Sequence, residues 1–395
     1  MTMVAEIRKF RLFYFIRYFG DAFFYPFLTI YLIKNGLQEG QIGILMAILP
    51  FVAIFVNPFW NMFVKDMRTS RIVLQIMTFL EGMLVILLTS VSGFGLYALI
   101  ILMIAVLCSP FISLQDGFTA TFANNSKIEY SSIRIFASIA YVIALVFSGM
   151  LLSVWGFDVL FMIAGIMFVM TFLIAVWIHP IEKRPAAKLK TNRDFQALFK
   201  NIDFYKFLVF YTLVIGAVRV GDTFFGVFLI KQMKAADETY GFVYAAFVFV
   251  EVLTILFLIK RRDVIKERVM MIAAVALFII RFMVYALNPP LWAVIAVTMF
   301  RGFSWGVILH FSVRYMIKIV KIENVTPALM IATMLYSLFI GSGTLIFGGF
   351  IEANGYFVFY FVQAMIVTGG FLFFVFFPPF GRYKRQKGTY DHLKA

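Results

Sequence analysis

Hydrophobic residues run along this chain in blocks of twenty or so, separated by short polar breaks. Twelve blocks read as helices, at roughly 11–33, 41–64, 72–93, 97–121, 131–154, 158–179, 207–230, 239–259, 269–287, 292–317, 328–351 and 356–378. A helix needs about 20 residues to cross about 30 Å of hydrocarbon, whereas a membrane strand needs only about 9–11. Hydrocarbon offers no water to unsatisfied backbone groups, so blocks of this length predict a helical bundle. The expected fold class is an all-α membrane protein of twelve transmembrane helices.

Composition strengthens that reading. The chain has 395 residues, 63% of them hydrophobic and 14% charged, against about 45–50% and about 25% in soluble domains. Its one cysteine, Cys108, sits in an apolar run, which excludes disulfides and cysteine-type metal sites. There is no Walker A segment, no Gly-rich dinucleotide loop and no HExxH helix, so neither an enzyme nor a bound metal or organic cofactor is expected. The first ten residues are polar and basic, and the apolar stretch after them can span and ends in no small-residue cleavage site, so no cleavable signal peptide is expected.

The net charge of +15 sorts by loop. The termini and even-numbered connections hold 26 Lys and Arg; the odd-numbered connections hold only Lys34, Lys231 and Lys234. Basic residues concentrate on the cytoplasmic side of membranes, which puts both termini in the cytoplasm and the chain in the cytoplasmic membrane. Topology thus accounts for the charge without a nucleic-acid partner.

The longest polar connection, 181–206, falls between the sixth and seventh spans. It divides an N-terminal six-helix bundle (1–180) from a C-terminal one (207–380), with a cytoplasmic tail at 381–395. Both halves have similar outer turns, LQEGQIGILMA and ADETYGFVYAA, a weak internal repeat where a duplication would place it. Pro26, Pro50, Pro58 and Pro110 are candidate kinks, and GSGTLIFGG (341–349) permits close helix approach.

Six arginines remain within spans: Arg17, Arg134, Arg219, Arg281, Arg301 and Arg314. So do Asp21, Glu81, Asp116, Asp222, Glu251 and the titratable His310. A charge at mid-membrane costs roughly 2.5–3.5 kcal/mol on insertion scales, so these groups must pair or line an aqueous cavity. Arg17 and Asp21, four apart, suit one local ion pair. Arg314 sits near a helix end and suits snorkelling, and Glu81 suits a packing role or a lone protonated acid. The remaining charges come from so many helices that a central cavity is the economical reading.

Particular stretches then resemble a known family. FRLFYFIRYFGDAFFYPFLTIYLIKNGLQEGQIGILMAILPFVAIFVNPFWNMF is similar to the start of the major facilitator branch that includes lactose permease and the nucleoside–proton symporters. It has the aromatic-rich first helix with Pro26, the short G-L-x-x-x-Q-I-G outer loop and a P-x-W near the end of the second helix. SLQDGF and SSIRIFAS reproduce the branch's helix 4 carboxylate and helix 5 arginine eighteen residues apart. The resemblance implies that Asp116 and Arg134 bind substrate, and matches Arg281 and Glu251 to the helix 9 arginine and helix 8 acid of proton coupling.

The departures lie mainly in the C-terminal half. Arg301 and Ser304 stand where the permease has a histidine and its proton-carrying glutamate, and Arg219 and Asp222 where it has two acids. Ser132 replaces the first arginine of G-R-x-R, Asn61 replaces a glycine, and Lys65, Asp66 and Arg68 only loosely match the D-R pattern between helices 2 and 3.

The expected function is secondary transport of a small-molecule substrate, a sugar, nucleoside or organic anion, by alternating access in the lipid bilayer, with H+ as coupling ion and the monomer as working unit. Substrate would bind Asp116, Arg134, Arg219, Arg281 and Arg301. Glu251, Asp222, Asp21, Arg17 and His310 would serve proton coupling or act as counter-ions. Export of amphiphiles or drugs is the alternative, but it calls for an apolar cavity. A membrane enzyme or receptor calls for a catalytic cluster or a large soluble domain.

Overall fold

The computed structural model describes residues 3–64, 66–179, 198–260, 266–320 and 324–379. Among them every regular element is helical. The first span is α1 (Met3–Phe24), a 3-10 turn (Tyr25–Phe27) and α2 (Leu28–Lys34). Pro26 lies inside that turn, where its missing N–H interrupts the ladder as the sequence suggests. There follow α3 (Glu39–Phe63), α4 (Met67–Leu88), α5 (Phe94–Cys108), α6 (Phe111–Asn125) and α7 (Ser131–Trp177). The second half comprises α8 (Ile202–Val227), a π turn (Phe228–Gln232), α9 (Asp237–Lys260), α10 (Glu267–Ala286), α11 (Leu291–Ile319) and α12 (Val325–Phe376).

Nine helical stretches among the described residues are long and apolar enough to cross a membrane. Two of them, 47 and 52 residues long, are too long for one crossing and break at Gly156 and Gly355, both at positive φ (76° and 81°). That region is open to glycine at no steric cost. Lys9 donates to the Trp177 carbonyl at 2.8 Å while Arg134 reaches Tyr18, so both ends of α7 lie beside α1 and the chain has reversed at Gly156. The first span falls outside the nine because α1 carries charge along its length. Twelve crossings result, in two six-helix halves. The predicted linker 181–206 lies for the most part, and the tail 381–395 wholly, outside the described residues.

Local signals explain the helix starts. Gln38 and Gln41 form a capping box at α3. Asp66 caps α4, accepting from the Thr69 backbone N–H at 2.7 Å, and that hydrogen bond holds its carboxyl below the usual range. The fourth span breaks at Ser109–Pro110 into α5 and α6. Pro110 has no N–H for the carbonyl four residues back, Val106, and Trp60 of α3 donates its indole N–H there at 2.8 Å. The side chains of Asn61 and Lys65, two parts of the altered motif, lie outside the described residues.

The halves meet closely at the end opposite the termini. There α3 meets α12 through Gly43, where a Cβ would sit 2.4 Å from the Thr344 carbonyl oxygen. Helix α7 meets α9 through Gly149 and Gly241, and the first span meets α8 through Ile30 and Gly226. Polar contacts crown this seam: Lys231–Glu39 at 2.6 Å, Tyr356 to Glu39 at 3.0 Å, Lys34–Asp237 at 2.8 Å, and Gly40 N–H to Glu352 at 3.3 Å. Among the described residues, the ion pairs that cross between the halves, Lys231–Glu39 and Lys34–Asp237, both lie at this end.

These contacts set up a contrast between two glycines. A Cβ at Gly302 would meet the Phe247 carbonyl oxygen at 2.1 Å, inside the C-terminal half. Gly302→Ala should destabilise the folded protein by about 1–3 kcal/mol, lowering Tm in detergent. Gly43→Ala, at the seam, should leave Tm near wild type and shift the equilibrium between the two openings. Thermal unfolding and accessibility of thiols introduced on the two faces check both outcomes.

Candidate functional site

Between the halves lies a cavity of about 570 Å³. Its N-terminal wall carries Arg17, Tyr18, Asp21 and Tyr25 of the first span and Ser109 and Phe111 at the break of the fourth. Its other wall carries Arg219 and Asp222 of α8, Tyr244 of α9, Arg281 of α10 and Arg301 of α11. Of the side chains assigned a role from sequence, Asp116, Arg134, Glu251 and His310 lie off these walls, and the geometry explains each.

Arg17 is the centre of the N-terminal wall. It is 2% exposed, and its guanidinium lies 4.0 Å and 4.4 Å from the ring centres of Phe111 and Phe168. One amino group donates to Glu81, which is fully buried; the other lies 3.1 Å from Glu81 and 3.0 Å from Asp21. Tyr25 adds a hydrogen bond to Glu81 at 2.8 Å. The i, i+4 pair read from sequence is present, but Glu81 is the principal partner of Arg17 and neither a lone acid nor a mere packing group. The signal for that pairing was one buried arginine on the first span and an acid in the middle of the third.

The opposite wall is a second network. Asp222 accepts from Arg281 at 2.5 Å and from Arg301 Nε at 3.1 Å, and Arg301 also donates to Glu251 at 3.0 Å. Arg219 lies over Trp305 at 5.0 Å and, among the described residues, makes no ion pair. Helices α8, α9, α10 and α11 are therefore tied through two carboxylates. Arg301, in the histidine's place, is what joins Asp222 to Glu251. Glu251 stands behind it, off the cavity wall.

Asp116 and Arg134 do pair, at 2.7 Å, with Tyr14 donating to Asp116 at 2.7 Å and Arg134 to Tyr18 at 3.0 Å. They are not on the cavity wall, however. Past the Pro110 break α6 presents Phe111 and Ile112 to the cavity; Asp116 lies one turn further toward the termini, and Arg134 occupies the first turn of α7. Their side chains are 31% and 38% exposed, on the side of the cavity toward the termini. Tyr18, which touches Arg134 and lines the cavity, is the link between them.

His310 is likewise off the wall. It lies nine residues past Arg301 on α11, about 13 Å along the axis, with its ring edge-on to Phe311. Arg314 pairs loosely with Glu267 at 3.9 Å near the helix end, as its position suggested. Among the described residues no His, Cys, Asp and Glu cluster has metal-site geometry.

Two arginines of unequal burial give a direct comparison. Arg17→Ala leaves two carboxylates buried without their cation, and should cost about 3–5 kcal/mol of stability. Arg314→Ala removes a partly exposed contact and should cost about 0–1 kcal/mol. Thermal unfolding of the purified variants in one detergent reads both.

Comparison with known proteins accords with this architecture. The sequence model of the MFS_1 like family matches residues 7–362. The chain is 24% identical over 328 residues to the uncharacterized transporter YwbF of Bacillus subtilis (strain 168), covering 82% of this chain and 79% of that protein. It is 24% identical over 318 residues to the maltose permease of Geobacillus stearothermophilus, covering 79% of each. Among solved structures, a point mutant of the nucleoside transporter NupG superposes with a TM-score of 0.81 at 17% identity, over 94% of this chain and all of that one. A bacterial homolog of the human lysosomal transporter Spinster, inward-facing and unoccupied, gives a TM-score of 0.68 at 13% identity, over 94% and 95%. The chain belongs to the MFS_1 like family, and is a multi-pass membrane transporter of the major facilitator superfamily rather than an enzyme.

Proposed function

We propose that the protein is a secondary transporter that carries a small polar solute, a sugar, nucleoside or organic anion, by alternating access coupled to protons. The carrying observation is the asymmetry of the seam. The cavity is closed at one end by glycine contacts and ion pairs between the halves, while toward the termini no ion pair among the described residues joins them. Reversing that asymmetry about the cavity moves a solute across the membrane. With both termini in the cytoplasm, the sealed end faces outward and the state described opens inward, in the cytoplasmic membrane.

Charged groups from both halves flank the cavity, so a polar solute finds partners on each wall: Arg219, Arg281 and Arg301 on one, Asp21 and Tyr18 on the other. Asp116 and Arg134 stand at the inner mouth, where a solute meets them on entry or exit. The named substrates of the relatives, maltose and nucleosides, are of this polar class. The cavity is complete within one chain, which supports a working monomer. Protons have candidate sites in Asp21, Asp222 and Glu251, each a carboxylate sharing an arginine. A charged wall of this kind disfavours export of amphiphiles.

Uptake by cells expressing the protein tests the proposal, with a panel of labelled sugars, nucleosides and carboxylates. Arg281→Ala should reduce uptake of the true substrate at least tenfold, about 1.4 kcal/mol or more of lost interaction, and Arg134→Ala should also reduce it. Unchanged uptake of every solute by both folded variants would overturn the site. Glu39→Gln removes the shared acceptor of Lys231 and Tyr356, and should raise labelling of thiols introduced at Ile30 from the outer face; unaltered labelling would count against the outer seal.

A further inference from the structure

The two charge clusters are unequal in opposite senses. The N-terminal cluster sets one guanidinium, Arg17, against two carboxylates, Asp21 and Glu81. The C-terminal cluster sets Arg219, Arg281 and Arg301 against Asp222 and Glu251. Over both walls the four arginines and four acids sum to zero.

Individual atoms show where each imbalance resides. Arg281 is 1% exposed and lines the cavity, packed on the rings of Phe282 and Tyr285; its Nη2 donates to Asp222, but its buried Nη1 and Nε have no hydrogen-bond partner. A guanidinium presents five N–H donors in a fixed fork, and buried donors left unmade are costly. Arg219, one turn from Asp222 on α8, is exposed to the cavity and is free of ion pairs among the described residues. Two cationic donors on one wall therefore await an acceptor.

The other wall shows the complementary want. Glu81 holds both amino groups of Arg17 and the Tyr25 hydroxyl. Asp21 shares only the amino group already given to Glu81, and its Oδ1 is buried without a well-directed hydrogen bond. Around it on the first span are Arg17, Tyr18 and Tyr25; α4 supplies Glu81, α5 Cys108 and α7 Tyr141. Across the cavity stand Arg219, Asp222, Arg281 and Arg301, with Tyr240 and Tyr244 of α9. Asp222 is held by two arginines, and Glu81 by one arginine and a tyrosine, so Asp21 is the cavity carboxylate with the weakest donor support.

We infer that the cargo is an organic monoanion whose carboxylate binds Arg219 and the unpaired Nη1 of Arg281, and that it travels with one proton carried on Asp21. The inference rests on the transport reading above and specifies its substrate and coupling. An anion bound alone leaves the cavity at −1, and a proton alone leaves it at +1. Bound together they restore zero, so in a medium that penalises net charge each favours the other, reciprocally. The loaded transporter then moves no net charge across the membrane.

The test uses the full chain reconstituted in liposomes, with two matched probe pairs: D-glucuronate against D-glucose, and nicotinate against nicotinamide. A pH gradient and a potassium–valinomycin potential are imposed separately. Uptake of at least one acid, driven by the pH gradient and indifferent to the potential, is expected, with its neutral counterpart at least tenfold slower. Arg219→Gln should lower that uptake at least tenfold. Asp21→Asn should keep exchange of labelled for unlabelled anion but lose accumulation on the pH gradient.

Equal uptake of the neutral partners, or uptake driven by the potential, would overturn the inference while leaving a transporter of polar solutes intact. Accumulation on the pH gradient by Asp21→Asn would place the proton elsewhere and overturn it as well. Uptake of no probe, under either gradient, would remove both this inference and the reading on which it rests. Should Asp21→Asn fail to fold, the electrical test on the wild-type protein and Arg219→Gln decide the matter.

Discussion

Hydrocarbon tolerates no unpaired charge, and the arrangement of this bundle answers to that constraint. Each charge inside a span would cost roughly 2.5–3.5 kcal/mol at the bilayer centre, so the helices that carry charges must bring them to one another or to water. Arg17 shows the consequence most fully. Clamped between two phenyl rings and bonded to Glu81 and Asp21, it fixes the first span to the third and to the far limb of α7. Asp222 does the same in the other half, holding Arg281 and Arg301 and, through Arg301, Glu251. Each half is keyed by one such network, and the two networks face each other across the cavity.

What separates the halves is as physical as what unites each of them. Within a half, the keys are buried and their loss leaves an uncompensated charge in low dielectric. Between halves, the joint consists of glycine-mediated close approach and polar contacts that include an ion pair at the surface, Lys34–Asp237, with side chains 44% and 31% exposed. Exposed pairs contribute little each, so the seam can part while the halves persist. A strong interior and a weak joint are what rigid-body rocking requires.

Proline and glycine carry the remaining geometry. Pro110 breaks the fourth span where it lines the cavity, and Trp60 of α3 takes up the carbonyl that the break releases. Gly156 and Gly355 reverse the chain between adjacent spans within what would otherwise be continuous helices.

The twelve spans, the helical class and the two halves were legible in the sequence, because a block of apolar residues of membrane length has one stable conformation in hydrocarbon. The list of buried charges was legible for the same reason. Their pairing was not. A charge on one helix can meet any partner at its depth, so Glu81 reads as a packing group until helix packing sets it against Arg17. Asp116 and Arg134 read as substrate-binding residues, and the tertiary structure seats them one turn below the cavity wall, because the Pro110 break gives Phe111 and Ile112 the wall. Arg301 and Ser304 read as a loss of the usual coupling pattern, while in three dimensions Arg301 is the bridge between Asp222 and Glu251. Hydropathy acts along the chain and can be read there; the partnership of charges acts between helices and is decided only when they pack.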